Sequence, residues 1–242
     1  MKFFGSGAQG PAHLCMIAVL LLSSCAAQIS GRVDQAGAGN FTVNVGLKPR
    51  FSTLMGSFKA LAGQQDGAII DGPLIASSLA RAPGIASVSF RNTSPAAFEG
   101  PVNISAIGDF LAPGGASGFI RFERGAGAQG GRCTITISRE TGPKLLSLIS
   151  AEITEYLEAL MAPIATGEAM TVAEYLEEVA KWYGTGVSAE IAEASILASI
   201  DFPGPIQSVT NGKFNGRRAE FDIPLRQLLV LETPLHYEVL WR

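Results

Sequence analysis

Apolar and polar positions change period several times along this chain, and each change predicts an element. From residue 41, Phe41, Val43, Val45 and Leu47 alternate with Thr42, Asn44 and Gly46, the period of a half-buried strand. Leu54, Phe58 and Leu61 then fall at helical spacing with Gly63 as a stop, and Pro73 and Gly84 bracket a second short helix over 71–84. Period two returns in "IASVSFRNT", "GPVNISAIG", "GFIRFER" and "RCTITISRE", spaced as antiparallel hairpins. "NTSPAAFEGP" and "GAGAQGG" read as turns between them, and "DFLAPGG" as a short helical turn or loop. The longest helical signal covers 143–164. There Leu146, Ile149, Ile153, Leu157, Leu160 and Ile164 form one apolar stripe, and Glu152, Glu155 and Glu158 lie away from it. A Thr171–Glu174 capping box and Gly184 bound the next helix, and "VSAEIAEA" is a third short helix or a lead into strand. Strands follow at 194–202, 218–224 and 237–241, with 226–232 either helical turn or strand. Runs of strands between runs of helices predict an α+β fold, an antiparallel sheet packed against a long helix and several short helices.

Composition supports that reading. The 242 residues are 47% hydrophobic and 16% charged, enough apolar content for a substantial core and too much for a disordered chain. The 28 glycines and 13 prolines favour short elements. A formal net charge of −3 with no basic run argues against a nucleic-acid partner. The two arginines of "FNGRRAEF" are followed at once by Glu220 and Asp222, a solvated strand face.

Before residue 41 the pattern is different. Leu14 to Leu22 is a nine-residue apolar run, about 13 Å long as a helix. That is too short for a bilayer core of about 30 Å and matches the hydrophobic region of a signal peptide. At its end Leu22, Ser23, Ser24 and Cys25 resemble a bacterial lipobox: a large aliphatic residue, two small ones, then cysteine. The resemblance implies diacylglyceryl transfer to the Cys25 sulfur, cleavage before Cys25 and acylation, for example with palmitate, of the new amino group. Ordinary cleavage after "SCA" without a lipid and an uncleaved anchor are the alternatives. Two lipid signals suffice for stable anchoring, and a triacylated cysteine exceeds that. Ala26 is not the aspartate that the lipoprotein family uses for inner-membrane retention, so the resemblance favours the outer membrane. The glycine-rich "AAQISGRVDQAGAGN" reads as a flexible tether reaching about 20 Å. The expected organisation is a lipoprotein signal peptide over 1–24, a tether over 25–40 and an exported α+β domain over 41–242.

Two further resemblances bear on that domain. One strand, two short helices, a strand meander and a long helix resemble the helix-grip order of Bet v 1-like and START lipid-binding domains, from which the three strands after residue 193 depart. The segments "LLSSC", "GKFNGRRAEFDIPL" and "YEVLW" resemble those of LppM-like bacterial lipoproteins. That likeness implies a lipobox anchor and an α+β exported domain in contact with lipid.

Candidate chemistry is sparse. Two Gly-x-Gly-x-x-Gly matches, at 5–10 and 125–130, lack the strand-then-helix context of a dinucleotide site, the second leading into a strand. Cys133 alternates with Ile135 and Ile137 and reads as a small buried hydrophobe, and His236 is the one histidine outside the leader able to serve it as a base. With two histidines in all, His13 and His236, a His-rich metal centre is excluded. Glu152, Glu155, Glu158, Glu168, Glu174, Glu177 and Glu178 fall at helix-surface spacing without a calcium loop. Sequons at Asn40, Asn92 and Asn103 have meaning only in a eukaryotic secretory route. Met55, Phe58, Leu61, Leu74 and Leu79 are candidate walls of an apolar pocket between sheet and helices, and Trp182, Tyr183 and Trp241 candidate core, rim or membrane-surface aromatics.

The expectation is therefore a lipid-anchored protein of the bacterial cell envelope, attached through Cys25, with a non-catalytic binding or structural domain. It has no catalytic residues, cofactor or metal, and its one predicted partner is the membrane. The alternative is a carrier of lipid or another apolar ligand beneath the helix over 145–164.

Overall fold

Strand β1 (Cys25–Val33) lies between β2 (Gly39–Gly46), its antiparallel partner, and β8 (Ser195–Asp201), its parallel partner. The computed structural model describes residues 25–61, 63, 67–110, 119–125, 130–146 and 151–242. The expected signal peptide over 1–24, the motif at 5–10, Ile149 and residues 111–118 lie outside it. The segment expected as a tether is thus largely strand. Ile29, Gly31 and Val33 alternate with Gln28, Ser30 and Arg32, and β1 reverses into β2 through a turn that Asp34 closes by accepting from the Ala38 N–H at 2.8 Å.

The fold is α+β with two sheets, and every pairing except β1–β8 is antiparallel. The larger sheet runs β10-β11-β8-β1-β2-β5-β3, with β4 also paired to β5. Here β3 is Ile85–Val88, β4 Arg91–Ser94, β5 Ala97–Ile104, β10 Lys213–Asn215 and β11 Arg218–Pro224. The expected single strand over 85–93 is two, β3 and β4. They part at Ser89–Phe90, opposite Gly100–Pro101, where proline offers no N–H to the ladder. The smaller sheet is β6-β7-β12-β9, with β6 at Ile120–Arg124, β7 at Gly131–Ile137, β9 at Ile206–Thr210 and β12 at Leu235–Trp241.

Helices cover the apolar faces. Helix α1 (Pro49–Leu61) follows β2, and α2 (Gly72–Leu79) starts at Asp71, whose carboxylate accepts from the Leu74 N–H at 2.9 Å. A short α3 (Ile107–Phe110) takes in the first two residues of "DFLAPGG", whose remainder lies outside the described residues. The stretch expected as one long helix holds α4 (Gly142–Leu146), α5 (Ala151–Ala159) and α6 (Pro163–Thr166). It ends at Ala159 because Pro163 cannot continue it; Met161 is left-handed at φ 53° and Ala162 is extended, as a residue before proline prefers. Leu160 and Ile164 are buried nonetheless. Helix α7 (Val172–Tyr183) carries the expected Thr171–Glu174 capping box, α8 (Thr185–Glu193) leads into β8, and α9 (Leu225–Val230) settles the ambiguous 226–232 as helix.

Two apolar clusters result. In the larger, Phe221 of β11 meets Tyr237 of β12 edge-on at 5.6 Å, and Trp241 stacks on Phe122 and Phe202 at 5.3 and 5.1 Å. The two sheets thus face one another, with Val179, Ile191 and Val230 of the helices completing the core. The smaller cluster puts Ala76 of α2 against Phe90, Phe98 and Val102. No helix among the described residues is long and apolar enough to cross a membrane.

Candidate functional site

Cys25 begins β1. Its backbone pairs with Ser195, and Ala27 is already in register with Val45 and Ile196. Nothing longer than Ala26 separates the candidate lipid-bearing residue from the middle of the large sheet.

The residues weighed for catalysis do not assemble. Cys133 and His236 sit on neighbouring strands, but Cys133 pairs with Val239 and His236 with Thr136. Side chains alternate faces along a strand, so the thiol points into the core and the imidazole outward, where its Nδ1 lies 3.1 Å from Thr136 Oγ1. Burial pushes the Cys133 thiol up to about 12, the reverse of an activated nucleophile. Among the described residues no three His, Cys, Asp or Glu side chains are grouped to hold a metal. Two of these glutamates have local work: Glu174 closes its capping box, and Glu178 accepts from Lys181 and from the Trp182 indole N–H at 3.0 Å. The "GAGAQG" stretch joins the antiparallel strands β6 and β7, and no helix follows it.

The expected apolar pocket does not form from its candidate walls. Met55 is fully buried, whereas Leu61 is 86% and Leu74 45% exposed, so they do not line one cavity. Phe58 packs edge-on against Tyr183 at 5.6 Å, and the Tyr183 hydroxyl donates to the Ala159 carbonyl at 2.6 Å. Trp241 is core and Tyr183 rim, while Trp182 is 63% exposed. Asn92, a sequon residue, is structural: its side-chain amide donates to the Ile70 carbonyl at 2.7 Å and accepts from the Gly72 N–H at 3.1 Å, pinning the start of α2 to the β4–β5 hairpin.

The sequence reading missed the open face of the large sheet. Its rows run across β2, β1, β8 and β11: Asn40–Arg32–Asp201–Arg218, Thr42–Ser30–Ser199–Glu220, and Asn44–Gln28–Leu197–Asp222. Arg218 and Asp201 form a bidentate pair, both hydrogen bonds 2.9 Å, which holds the Asp201 carboxyl below the usual range. A groove of about 660 Å³ crosses this face between Gln28, Ser30, Leu197, Lys213, Glu220 and Phe221. Its volume lies in the range of small-ligand sites, and its lining mixes polar groups with a larger share of apolar surface. The alternation of Gln28, Ser30 and Arg32 with Ile29, Gly31 and Val33 was the signal that could have revealed it.

No family profile matches the chain, and no curated protein matches it. Among solved structures, the folded domain of the Mycobacterium tuberculosis LppM protein, determined by NMR, is similar to this chain. The two share 8% identity with a TM-score of 0.39, over 90% of each chain.

Proposed function

We propose that this chain is a membrane-anchored bacterial lipoprotein whose exported domain is a non-catalytic binding or structural module of the cell envelope. The observation that carries this is the lipobox-like "LLSSC" standing directly before residues that are paired on both sides in the middle of the large sheet from Ala27 onward. Cleavage before Cys25 would keep all of those paired residues in the mature chain. Lipid on the Cys25 sulfur and on its amino group would supply an anchor that no described helix supplies. Ala26 after the cysteine favours the outer membrane by the lipoprotein sorting pattern. The non-catalytic reading follows from the separation of Cys133 and His236 onto opposite faces of their sheet.

Metabolic labelling with an alkyne fatty acid in a bacterial host tests the anchor. The wild-type chain should take the label and sediment with membranes, and Cys25→Ala should take none. Equal labelling of the two would overturn the proposal.

A further inference from the structure

We propose that Asn215 is a site of spontaneous covalent modification, in which the Gly216 nitrogen attacks the Asn215 side-chain amide and the residue ends as aspartate or isoaspartate. The chain has six asparagines, and two of them, Asn211 and Asn215, precede glycine. The fold leaves one of these two pairs free to react and locks the other. Nothing in this chemistry depends on a lipid at Cys25.

The reaction needs no co-reactant but water. A bond forms between the Gly216 nitrogen and the side-chain carbonyl carbon of Asn215, the carbon–NH2 bond breaks, and ammonia leaves with the proton of the Gly216 N–H. Water then opens the resulting succinimide ring at one of its two carbon–nitrogen bonds. Opening at the side-chain carbonyl gives aspartate, and opening at the backbone carbonyl gives isoaspartate, with one methylene added to the main chain.

Strands β10 and β11 are joined by a two-residue loop, Gly216 and Arg217, closed by the Asn215–Arg218 pair. Gly216, at φ 61°, takes the first central position, as a tight hairpin requires. Both Asn215 and Gly216 are exposed, and among the described residues neither the Asn215 side chain nor the Gly216 N–H makes a hydrogen bond. No atom lies within 4 Å of where a Gly216 Cβ would stand. The contacts that hold the loop lie on its other side: the Gly216 carbonyl accepts from the Ile206 N–H at 2.9 Å and the Arg217 carbonyl from the Phe202 N–H at 2.8 Å. The Asn211–Gly212 pair is held at both reacting groups. The Asn211 amide that would have to leave donates to the His236 carbonyl at 2.9 Å, and a Cβ at Gly212 would meet the Glu220 carbonyl oxygen and the Phe221 ring, both at 2.7 Å. Asn40, Asn44, Asn92 and Asn103 lie within β2, β4 and β5 and precede Phe41, Val45, Thr93 and Ile104, whose side chains crowd the attacking nitrogen. The product carries a new negative charge beside Arg217 and Arg218, at the end of the three-residue edge strand whose Lys213 lines the groove of the open face.

The experiment ages the full chain at pH 8, native in one sample and unfolded in urea in another, and maps its peptides by mass spectrometry with chromatographic separation of aspartyl and isoaspartyl forms. Tryptic cleavage after Lys213 puts Asn211 and Asn215 on separate peptides. In the native protein the Asn215 peptide should gain one mass unit several-fold faster than the Asn211 peptide, with isoaspartate exceeding aspartate. In urea the two should convert at similar rates, because each then has only its glycine neighbour to decide it. Native conversion at Asn211 as fast as at Asn215, or an Asn215 that stays an amide in the native protein over a period that converts it in urea, would overturn the proposal. The same preference for Asn215 in urea would overturn its assignment to the fold.

Discussion

Three side chains test the account at the scale of the residue. The Cys133 thiol faces the core and is pushed up to about 12 by burial, so it should resist iodoacetamide at pH 8 in the folded protein and react on unfolding; fast labelling of the native chain would contradict its placement. The Tyr175 hydroxyl is buried with no hydrogen-bond partner among the described residues, and burial raises its pKa. Replacing it by Tyr175→Phe removes a polar group that gains nothing from the fold, so stability should hold or rise by up to about 1 kcal/mol in urea unfolding. A loss larger than that would reveal a partner. Asp201 titrates low because Arg218 hydrogen-bonds its carboxylate. A depressed folded pKa adds stability above the unfolded value of about 3.9, lost as pH falls through the folded value. The pair is solvent-exposed, so the gain is small and screened, and the measurable quantity is the NMR midpoint. It should lie below the ordinary aspartate value and rise in Arg218→Ala. Of these residues, Cys133 was readable from its alternation with Ile135 and Ile137. The Asp201–Arg218 pair was not, since it depends on strands 17 residues apart meeting in one register.

Elements were legible where local chemistry decides them. The Thr171–Glu174 capping box and the stop at Gly184 appear in the sequence and in the structure because each involves groups within one helical turn. The helix over 143–164 was overextended because its apolar stripe continues past a proline that the backbone cannot accommodate in mid-helix. Strand β1 was overlooked because glycine and small polar residues lower strand propensity, while pairing on both sides overrides it. Gly31 is there for a reason: a Cβ would collide with the Asn40 carbonyl oxygen and the Phe41 ring across the ladder. Gly31→Ala should therefore cost about 1–3 kcal/mol, read as a shift in the denaturant midpoint. A neutral result would mean that β1 and β2 are not in this register. Helix α1 carries no acidic residue in its first turn, and its cap comes from far along the chain. The Glu190 carboxylate of α8 accepts from the Arg50 and Phe51 N–H groups at 3.1 and 2.8 Å. Its removal in Glu190→Ala should destabilise the protein by about 1 kcal/mol, whereas no change would place the cap elsewhere.

At the scale of the whole molecule, the α+β class followed from element order, but the division into two sheets did not. The parallel contact between β1 and β8 joins segments about 170 residues apart, and such pairing leaves no local trace in the sequence. This topology makes residues 25–33 part of the fold. A chain starting at residue 41 should lose cooperative unfolding and amide dispersion, because β2 and β8 would each lose their central partner; retention of both would return this segment to the role of a tether. It also ties the two halves of the functional argument together, since the strand that completes the sheet is the one that bears the candidate anchor. The open face of the large sheet was legible only in part: the alternation within β1 marks one row of it, but the full rows are drawn from four separated strands. The most direct measurement is the intact mass of the protein extracted from the membranes of its own host. The account predicts a chain that begins at Cys25 and carries the added mass of a diacylglyceryl group and an amide-linked acyl chain. An unmodified Cys25, or a chain retaining residues 1–24, would contradict it.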